Sequence, residues 1–448
     1  MATFLLPSSP IYGHLVPMLA VARALTARGH AVTVLTGTKY RARVEESGAA
    51  FLPLPAGADY DDADLDAWLP GREEHKGLAA VRYDLLGMFV RPLRAQHEAL
   101  TAELATDRYD AVVCELVYTG VIPTLGVDRD RRVPVVGVSA LPLTLTSVDC
   151  APFGPALAPG GSALSRLRNR VLNTVLHAGP LRAITTRANA VLAEVGAERL
   201  PATIFDMPLL YDRTFQLSAP SLEYPRRELP ASFTFLGPLR PGTGAGAGAG
   251  TRALPAWWAD LDGDRPVVHV TQGTIDNADP TRLLVPTIRG LAGDDVLVVA
   301  STGGRPVSGV VDALGGTLPA NARVAEFLPY EALLPKTDVV VTNGGFGGVQ
   351  QSLAHGVPLV VAGATEDKPE VAARVAWSGT GVDLRTGTPA PEKVADGVRT
   401  VLAEDGFRTA AGRVAAEIAA LGDPLETLVA ELEALAGSRD ATRARSAS

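Results

Sequence analysis

The sequence predicts an α/β protein of two similar domains, each a parallel sheet with crossover helices, facing one another across a cleft. Three observations lead there. Short aliphatic runs of strand length alternate with helix-period segments in both halves of the chain. A low-complexity stretch, GTGAGAGAG, which offers almost nothing to bury, separates the halves. The length of 448 residues exceeds one ordinary core of roughly 100 to 200 residues.

In chain order, strands are expected at Thr3 to Pro7, Ala31 to Thr36 and Phe51 to Leu54, with helical patterns over Leu15 to Arg28 and on to Ser47. The Asp- and Gly-rich loop from Ala56 to Gly77 reads as solvated surface. A long helical pattern from Leu78 to about Ala105 precedes strands at Ala111 to Glu115 and Val133 to Ser139. The first domain is assigned to residues 1–222, and 223–254, through PRRELP, GPLRPG and the Gly/Ala run, to a linker. A second strand series follows in 255–436: Val267 to Thr271, Val296 to Ser301, Val324 to Phe327, Val339 to Thr342, Leu359 to Ala362 and Val382 to Leu384. Helical periodicity from Pro391 to about Leu435 ends this domain, its last helices being candidates to pack back on the first. The polar tail 437–448 is expected to be disordered.

Composition excludes several function classes. The net charge of -8, from 41 basic and 49 acidic residues, comes with no concentrated basic stripe, which argues against a nucleic-acid surface. No run approaches the roughly 18 apolar residues of a membrane span, and MATFLLPSSP lacks the basic start of a secretory signal, so a cytoplasmic location is expected. Cys114 and Cys150, without CxxC spacing, read as buried thiols. Nothing resembles an Asp-x-Asp metal site and the histidines show no ligand spacing, so no metal and no other cofactor is expected.

Two constellations carry chemistry. In VVVTNGGFGGVQQSLAHGVP, the strand Val339 to Thr342 runs into Asn343, Gly344, Gly345, Gly347 and Gly348 and then into a helical pattern. A strand, a glycine turn and a helix start bring free N–H groups and the positive end of the helix dipole to one spot, which suits a diphosphate. The turn is neither a P-loop nor a GxGxxG fingerprint, and such glycines serve equally well as a tight connection. In PSSPIYGHLVPML, His14 falls between the first strand and the first helix. A neutral imidazole there can accept a proton from a hydroxyl, although a lone loop histidine is more often incidental.

With its flanks, the glycine stretch resembles the donor signature of the inverting nucleotide-sugar glycosyltransferases of the GT-B fold, a family that includes plant natural-product and bacterial macrolide enzymes. The resemblance covers essentially the whole chain and rests on Phe327-Leu328-Pro329-Tyr330, Asn343-Gly344-Gly345, Gly356-Val357-Pro358 and Asp367-Lys368. It implies two Rossmann-like domains and a donor site in which Phe327 stacks on the nucleobase and the Leu328 backbone meets its edge. The helix start at Gly344 would hold the diphosphate, Thr274 would approach the phosphates, Gln351 would reach the ribose, and Asp367, with Glu366 and Lys368 beside it, the sugar. Three positions depart from the family pattern: Asn343 stands for its usual His, Gln351 for its Glu and Lys368 for its Gln. Lys368 is also readable as a surface lysine.

By the same resemblance His14 is the catalytic base, and Glu115, at the end of the DAVVCE strand where the family has Asp, orients it. Acceptor contacts are assigned to Tyr12, Met88, Phe89, Leu141, Leu143 and Phe153, whose apolar character suits a lipophilic aglycone. The reaction implied is single displacement with inversion, from a UDP- or dTDP-sugar to a hydroxyl of a polyketide, macrolide or phenolic such as a flavonoid. The composition, rich in Ala, Gly and Arg, has a bacterial secondary-metabolism flavour. A non-catalytic auxiliary protein with a degenerate donor site and a nucleotide-sugar epimerase are the rival readings. Monomer and homodimer are both open.

Overall fold

The computed structural model describes residues 1–239, 254–274 and 276–446. The eleven expected strands all form, most of them where aliphatic runs allow burial on both faces, as parallel sheets require. They are β1 Thr3–Pro7, β2 Ala31–Thr36, β3 Ala50–Pro53, β4 Ala111–Glu115 and β5 Val135–Ser139 in the first half. The second half holds β8 Val267–Thr271, β9 Leu297–Ser301, β10 Ala322–Ala325, β11 Val339–Thr342, β12 Leu359–Val361 and β13 Gly381–Asp383. Two further strands, β6 Arg213–Gln216 and β7 Phe233–Phe235, complete the first sheet.

The seven-stranded sheet has the order β3-β2-β1-β4-β5-β6-β7 and the six-stranded sheet the order β10-β9-β8-β11-β12-β13, parallel throughout. In each, strand order reverses once, between β1 and β4 and between β8 and β11. A doubly wound sheet leaves a crevice at the carboxyl ends of the strands flanking such a reversal. Both candidate sites lie at these two positions.

Three expectations change. The segment 223–254 is not all linker, because β7 within it pairs with β6 and extends the first sheet; the Gly/Ala run Gly242 to Gly250 lies outside the described residues. The pattern Leu78 to Ala105 is not one helix but Leu78–Leu85, a π-helical turn Leu86–Val90 and Leu93–Leu104. The backbone of the last helix, Pro424–Ser446, continues through most of the tail expected to be disordered, whose last two residues are not described.

That last helix closes the first domain's core. Leu428, Val429, Leu432 and Ala436 pack among Leu15, Leu19, Leu25 and Val32, and each fully buried aliphatic contributes roughly 1.5–3 kcal/mol. Arg28 bonds Glu426 and Glu433, and His30 Nε2 lies 3.0 Å from Glu433 Oε1. The other domain's helices cover a separate core around Val268, Val298, Val341 and Val360.

Candidate active site

At the first reversal point, β1 leads through Ser8 and Ser9 into the helix Tyr12–Ala27. His14 therefore stands in the first helical turn, not in the loop before it. Ile11 provides no side-chain cap. The cap comes from the acidic loop instead, where Asp62 Oδ2 accepts the Tyr12 N–H at 2.8 Å and Asp62 also bonds Tyr40 and Lys39. The loop expected to be plain surface thus anchors the start of the His14 helix, and a carboxylate there also complements the helix dipole.

β4 lies beside β1, so its terminal Glu115 reaches His14 although 101 positions separate them. His14 Nδ1 donates to Glu115 Oε1 at 2.8 Å, and the Val117 N–H donates to the same oxygen at 2.9 Å. A carboxylate only accepts, so Nδ1 carries the proton and Nε2 is left with the lone pair. The His14 side chain is 15% exposed and that of Glu115 6%. Burial is the largest influence on the imidazole and lowers its pKa. The charge of Glu115, its hydrogen bond, and the charges of Asp367 and Glu366 together outweigh it, so the pKa lies above 6.5. Glu115 Oε2 and the Tyr60 hydroxyl are buried without a protein partner beside this pair, and the Glu115 charge helps burial to raise the Tyr60 pKa.

At the second reversal point, β11 ends at Thr342, and Gly344 turns the chain with φ +88° into the helix Phe346–Ala354. A Cβ at Gly344 would sit 2.9 Å from Val361 Cγ1, so both conformation and space demand glycine. The first-turn N–H groups of this helix lack helical partners, and a Cβ at Gly347 or Gly348 would meet nothing within 4 Å, so their main chain is open to a ligand. Asn343 is buried, and its Nδ2 donates to the Gln272 carbonyl at 2.7 Å. One amide hydrogen thus ties β11 to the strand across the reversal point.

The remaining donor residues line the same edge of the sheet. Phe327, beyond β10, is 42% exposed and lies over Gly304, where a Cβ would come within 2.6 Å of its Cζ. Leu328 is buried, Thr274 exposed beyond β8, and Gln351 half-buried in the Phe346 helix. Beyond β12, Glu366 adopts φ +57° and Asp367 precedes the helix Lys368–Ser378. Burial chiefly raises the Asp367 pKa. Lys368 is not a surface lysine. It is 5% exposed beneath the glycine turn, paired with Glu366 and 3.6 Å from Asp276 Oδ2, which also holds its charge within the protein.

The acceptor candidates divide. Met88 and Phe89, on the π-helical turn, and Leu141 and Phe153 are half-buried. Tyr12 packs on the first domain's core with the Arg43 guanidinium 5.0 Å from its ring centroid. Leu143 is corrected. It is 3% exposed, its N–H donates to Glu223 Oε1 at 3.0 Å and its carbonyl accepts from Arg226 at 3.1 Å and Arg374 at 3.4 Å, so its backbone belongs to the interdomain network and its side chain offers little surface to an acceptor.

Several structural residues had no signal in the sequence. Arg374, 1% exposed, donates to Glu223 Oε2 at 3.1 Å and to Glu370 Oε2 at 2.9 Å. Glu370 Oε1 accepts the N–H groups of Gly154 and Ala156 at 2.7 and 2.8 Å. Gln350 accepts from the Ala219 N–H at 3.0 Å and donates to the Leu217 carbonyl at 2.7 Å.

Comparison with known proteins bears on the family and the fold. Residues 310–435 match the family described as the erythromycin biosynthesis protein CIII-like, C-terminal domain. The chain is 39% identical over 424 residues to 4'-demethylrebeccamycin synthase of Lentzea aerocolonigenes, covering 94% of this chain and 96% of that one. It is 34% identical to UDP-glycosyltransferase 2 of Phaeomoniella chlamydospora, over 97% and 96% of the two chains. Among solved structures, the calicheamicin glycosyltransferase CalG4 superposes with a TM-score of 0.70 at 21% identity, covering 98% of both chains. The spinosyn rhamnosyltransferase SpnG complexed with thymidine diphosphate superposes with 0.64 at 22% identity, over 97% of this chain and 100% of that one.

Proposed function

Because the chain belongs to the natural-product glycosyltransferase family of the GT-B fold, we propose that it transfers a sugar from a UDP- or dTDP-sugar to a hydroxyl of a small lipophilic acceptor, with inversion and with His14 as general base. The observation that carries this is the His14–Glu115 pair at one reversal point, within electrostatic reach of Asp367 and Glu366 beside the other. Nε2 takes the proton of the acceptor hydroxyl as its oxygen bonds to the anomeric carbon. The bond from that carbon to the phosphate oxygen breaks on the opposite face, and the nucleotide diphosphate leaves.

Each new charge has a partner in this arrangement. The imidazolium faces Glu115, Asp367 and Glu366, and the charge growing on the diphosphate meets the open amides of the Phe346 helix. Phe327 supplies a nucleobase platform suited to uracil and thymine alike. Asp367 is the sugar contact, with Lys368 supporting its loop through Glu366 and Asp276 rather than meeting the sugar itself. The half-buried Met88, Phe89, Leu141 and Phe153 form the acceptor side. The reaction is proposed to need no metal.

The test incubates the full chain with UDP-glucose or dTDP-glucose and a panel of phenols, polyketides and macrolides. Acceptor-dependent nucleotide diphosphate release and the anomeric configuration of the product are read by NMR. His14→Ala should lower the rate by roughly 10²- to 10⁴-fold, and chelators should leave it unchanged. Full activity in the variant would remove His14 as base, and donor binding without transfer to any acceptor would favour an auxiliary role.

A further inference from the structure

The helix Ala163–Ala178 in the first domain has its polarity reversed. Its two buried residues are polar, and only the half-buried Leu176 packs against the first domain's hydrophobic core. Asn169 Nδ2 donates to the Val148 carbonyl at 3.1 Å, and Asn173 Nδ2 to the Ser147 carbonyl at 3.0 Å. Its outward face is apolar, with Leu164 76%, Leu167 55%, Val171 50% and Val175 61% exposed. The steps between them of three, four and four residues set them in one stripe along the helix. Leu164 and Val175 are, after Met1, the most exposed large apolar side chains among the described residues.

The charge around the stripe is equally one-sided. From Ala151 to Ala193 the chain has no Asp or Glu but five arginines, Arg166, Arg168, Arg170, Arg182 and Arg187, within a protein of net charge -8. Arg168 and Arg170 are exposed and flank the stripe; Arg168 also bonds Asn169 Oδ1 and the Ala158 carbonyl. Of the acids that border this stretch in the sequence, Asp149 is paired with Arg166 and Arg227, and Glu194 lies 3.7 Å from Arg94.

We propose that this helix docks the enzyme on an anionic lipid surface, the Leu and Val side chains entering the acyl boundary and the flanking arginines meeting lipid phosphates. An apolar stripe bordered by Arg without acids is the pattern of an interfacial helix. The acidic remainder of the protein is repelled by the same surface, which orients the bound molecule with this helix down. A second copy of the chain fits less well, because face-to-face pairing of the stripe would bring Arg168 and Arg170 of both copies together. The helix follows the loop that carries Leu141 and Phe153. On the proposed function, the acceptor side would therefore face the phase into which lipophilic acceptors partition.

Vesicle flotation of the full chain tests this without reference to catalysis. At low salt, wild type should float with vesicles of equal phosphatidylglycerol and phosphatidylcholine, and not with phosphatidylcholine alone. Release should follow in 0.5 M salt, where the screening length is roughly half that at physiological strength. Arg168→Gln and Arg170→Gln should each weaken binding about fivefold, and Leu164→Ser with Val175→Ser at least tenfold. Thermal melting and nucleotide binding report whether the variants fold. The proposal is overturned if wild type does not float with anionic vesicles, if the folded variants float as well as wild type, or if sedimentation shows a wild-type dimer that Leu164→Ser abolishes.

Discussion

Glu115→Gln separates the two duties of this carboxylate. The amide has the same length, so Oε1 can still accept from His14 Nδ1, now 2.8 Å away, and from the Val117 N–H at 2.9 Å, but the charge is gone. In the wild type, burial pulls the His14 pKa down, and the charge and hydrogen bond of Glu115 are the main influences that lift it above 6.5. With the charge removed, burial is opposed only by the remaining hydrogen bond and the smaller effects of Asp367 and Glu366, and the pKa falls. On the proposed mechanism the acid limb of kcat/KM must then move to lower pH, since Nε2 acts as a base only when neutral. The imidazolium formed during transfer also loses its counter-charge, so the plateau should drop by about 10²-fold, about 2.7 kcal/mol at 1.36 kcal/mol per decade. Stability shifts with the same sign. A raised folded-state pKa stabilises fully below the unfolded value of about 6.5 and loses that contribution as pH rises through the folded value, so the wild type's advantage over the variant should shrink on the alkaline side. The assay is product formation from pH 5 to 9 at subsaturating acceptor, with melting curves at the same pH values. An acid limb that stays in place, or moves upward, would refute the pairing.

Four other substitutions test the frame around the pair. Gly344→Ala places a Cβ at φ +88° and 2.9 Å from Val361 Cγ1; it should cost about 1–3 kcal/mol in thermal melting and raise donor KM. Phe327→Ala removes an exposed platform, so donor KM should rise about 5- to 150-fold, as expected for 1–3 kcal/mol of base stacking, with kcat and melting little changed. Arg374→Ala takes from the buried Glu370 its cation at 2.9 Å and leaves Glu223 with the more distant Arg226, 3.8 Å away. At about 3–5 kcal/mol and about 2–4 °C per kcal/mol the melting temperature should fall by at least 6 °C; a drop under 3 °C would mean that the domains part and rehydrate the acids. Gln350→Leu leaves the Ala219 N–H and the Leu217 carbonyl without their partner, at roughly 1–3 kcal/mol for each group. It should lower kcat more than donor affinity, as isothermal titration with UDP or dTDP would show.

Local patterns were legible where local forces decide. Aliphatic runs such as VVVT and AVTVLT announce strands because a two-sided buried strand has nothing else to be. RTFQ and FTF, which form β6 and β7, are short and mixed in polarity, so only their neighbours in the sheet make them strands. The start of the His14 helix was unreadable for a related reason. Its cap is Asp62, brought back by a loop, and no Ser, Thr, Asp or Asn marks the spot in the sequence. Lys368 looked like surface because Asp276 and Glu366, which neutralise it, are assembled only by folding. The reversed helix at Ala163 defeats the assumption behind amphipathic reading, that the apolar side faces in.

On the proposed function two separate reversal points act on one bond, and the interdomain contacts fix them to each other. Asp367 stands at the start of the Lys368–Ser378 helix, Glu370 within its first turn holds the Gly154 and Ala156 amides, and Arg374 one turn on holds Glu223 and the Leu143 carbonyl. From Asp367 to Arg374 is about 10 Å along a rigid helix at 1.5 Å per residue. The proposed sugar contact and the 141–156 loop on the acceptor side are therefore referenced to a single body. The Phe346 helix is tied in the same way, through Gln350, to the 217–219 backbone leaving the first sheet. General base catalysis tolerates little misplacement of the reacting atoms. On the proposed mechanism, residues that touch neither substrate can thus govern the turnover rate, by deciding how closely His14 and the anomeric carbon are brought together.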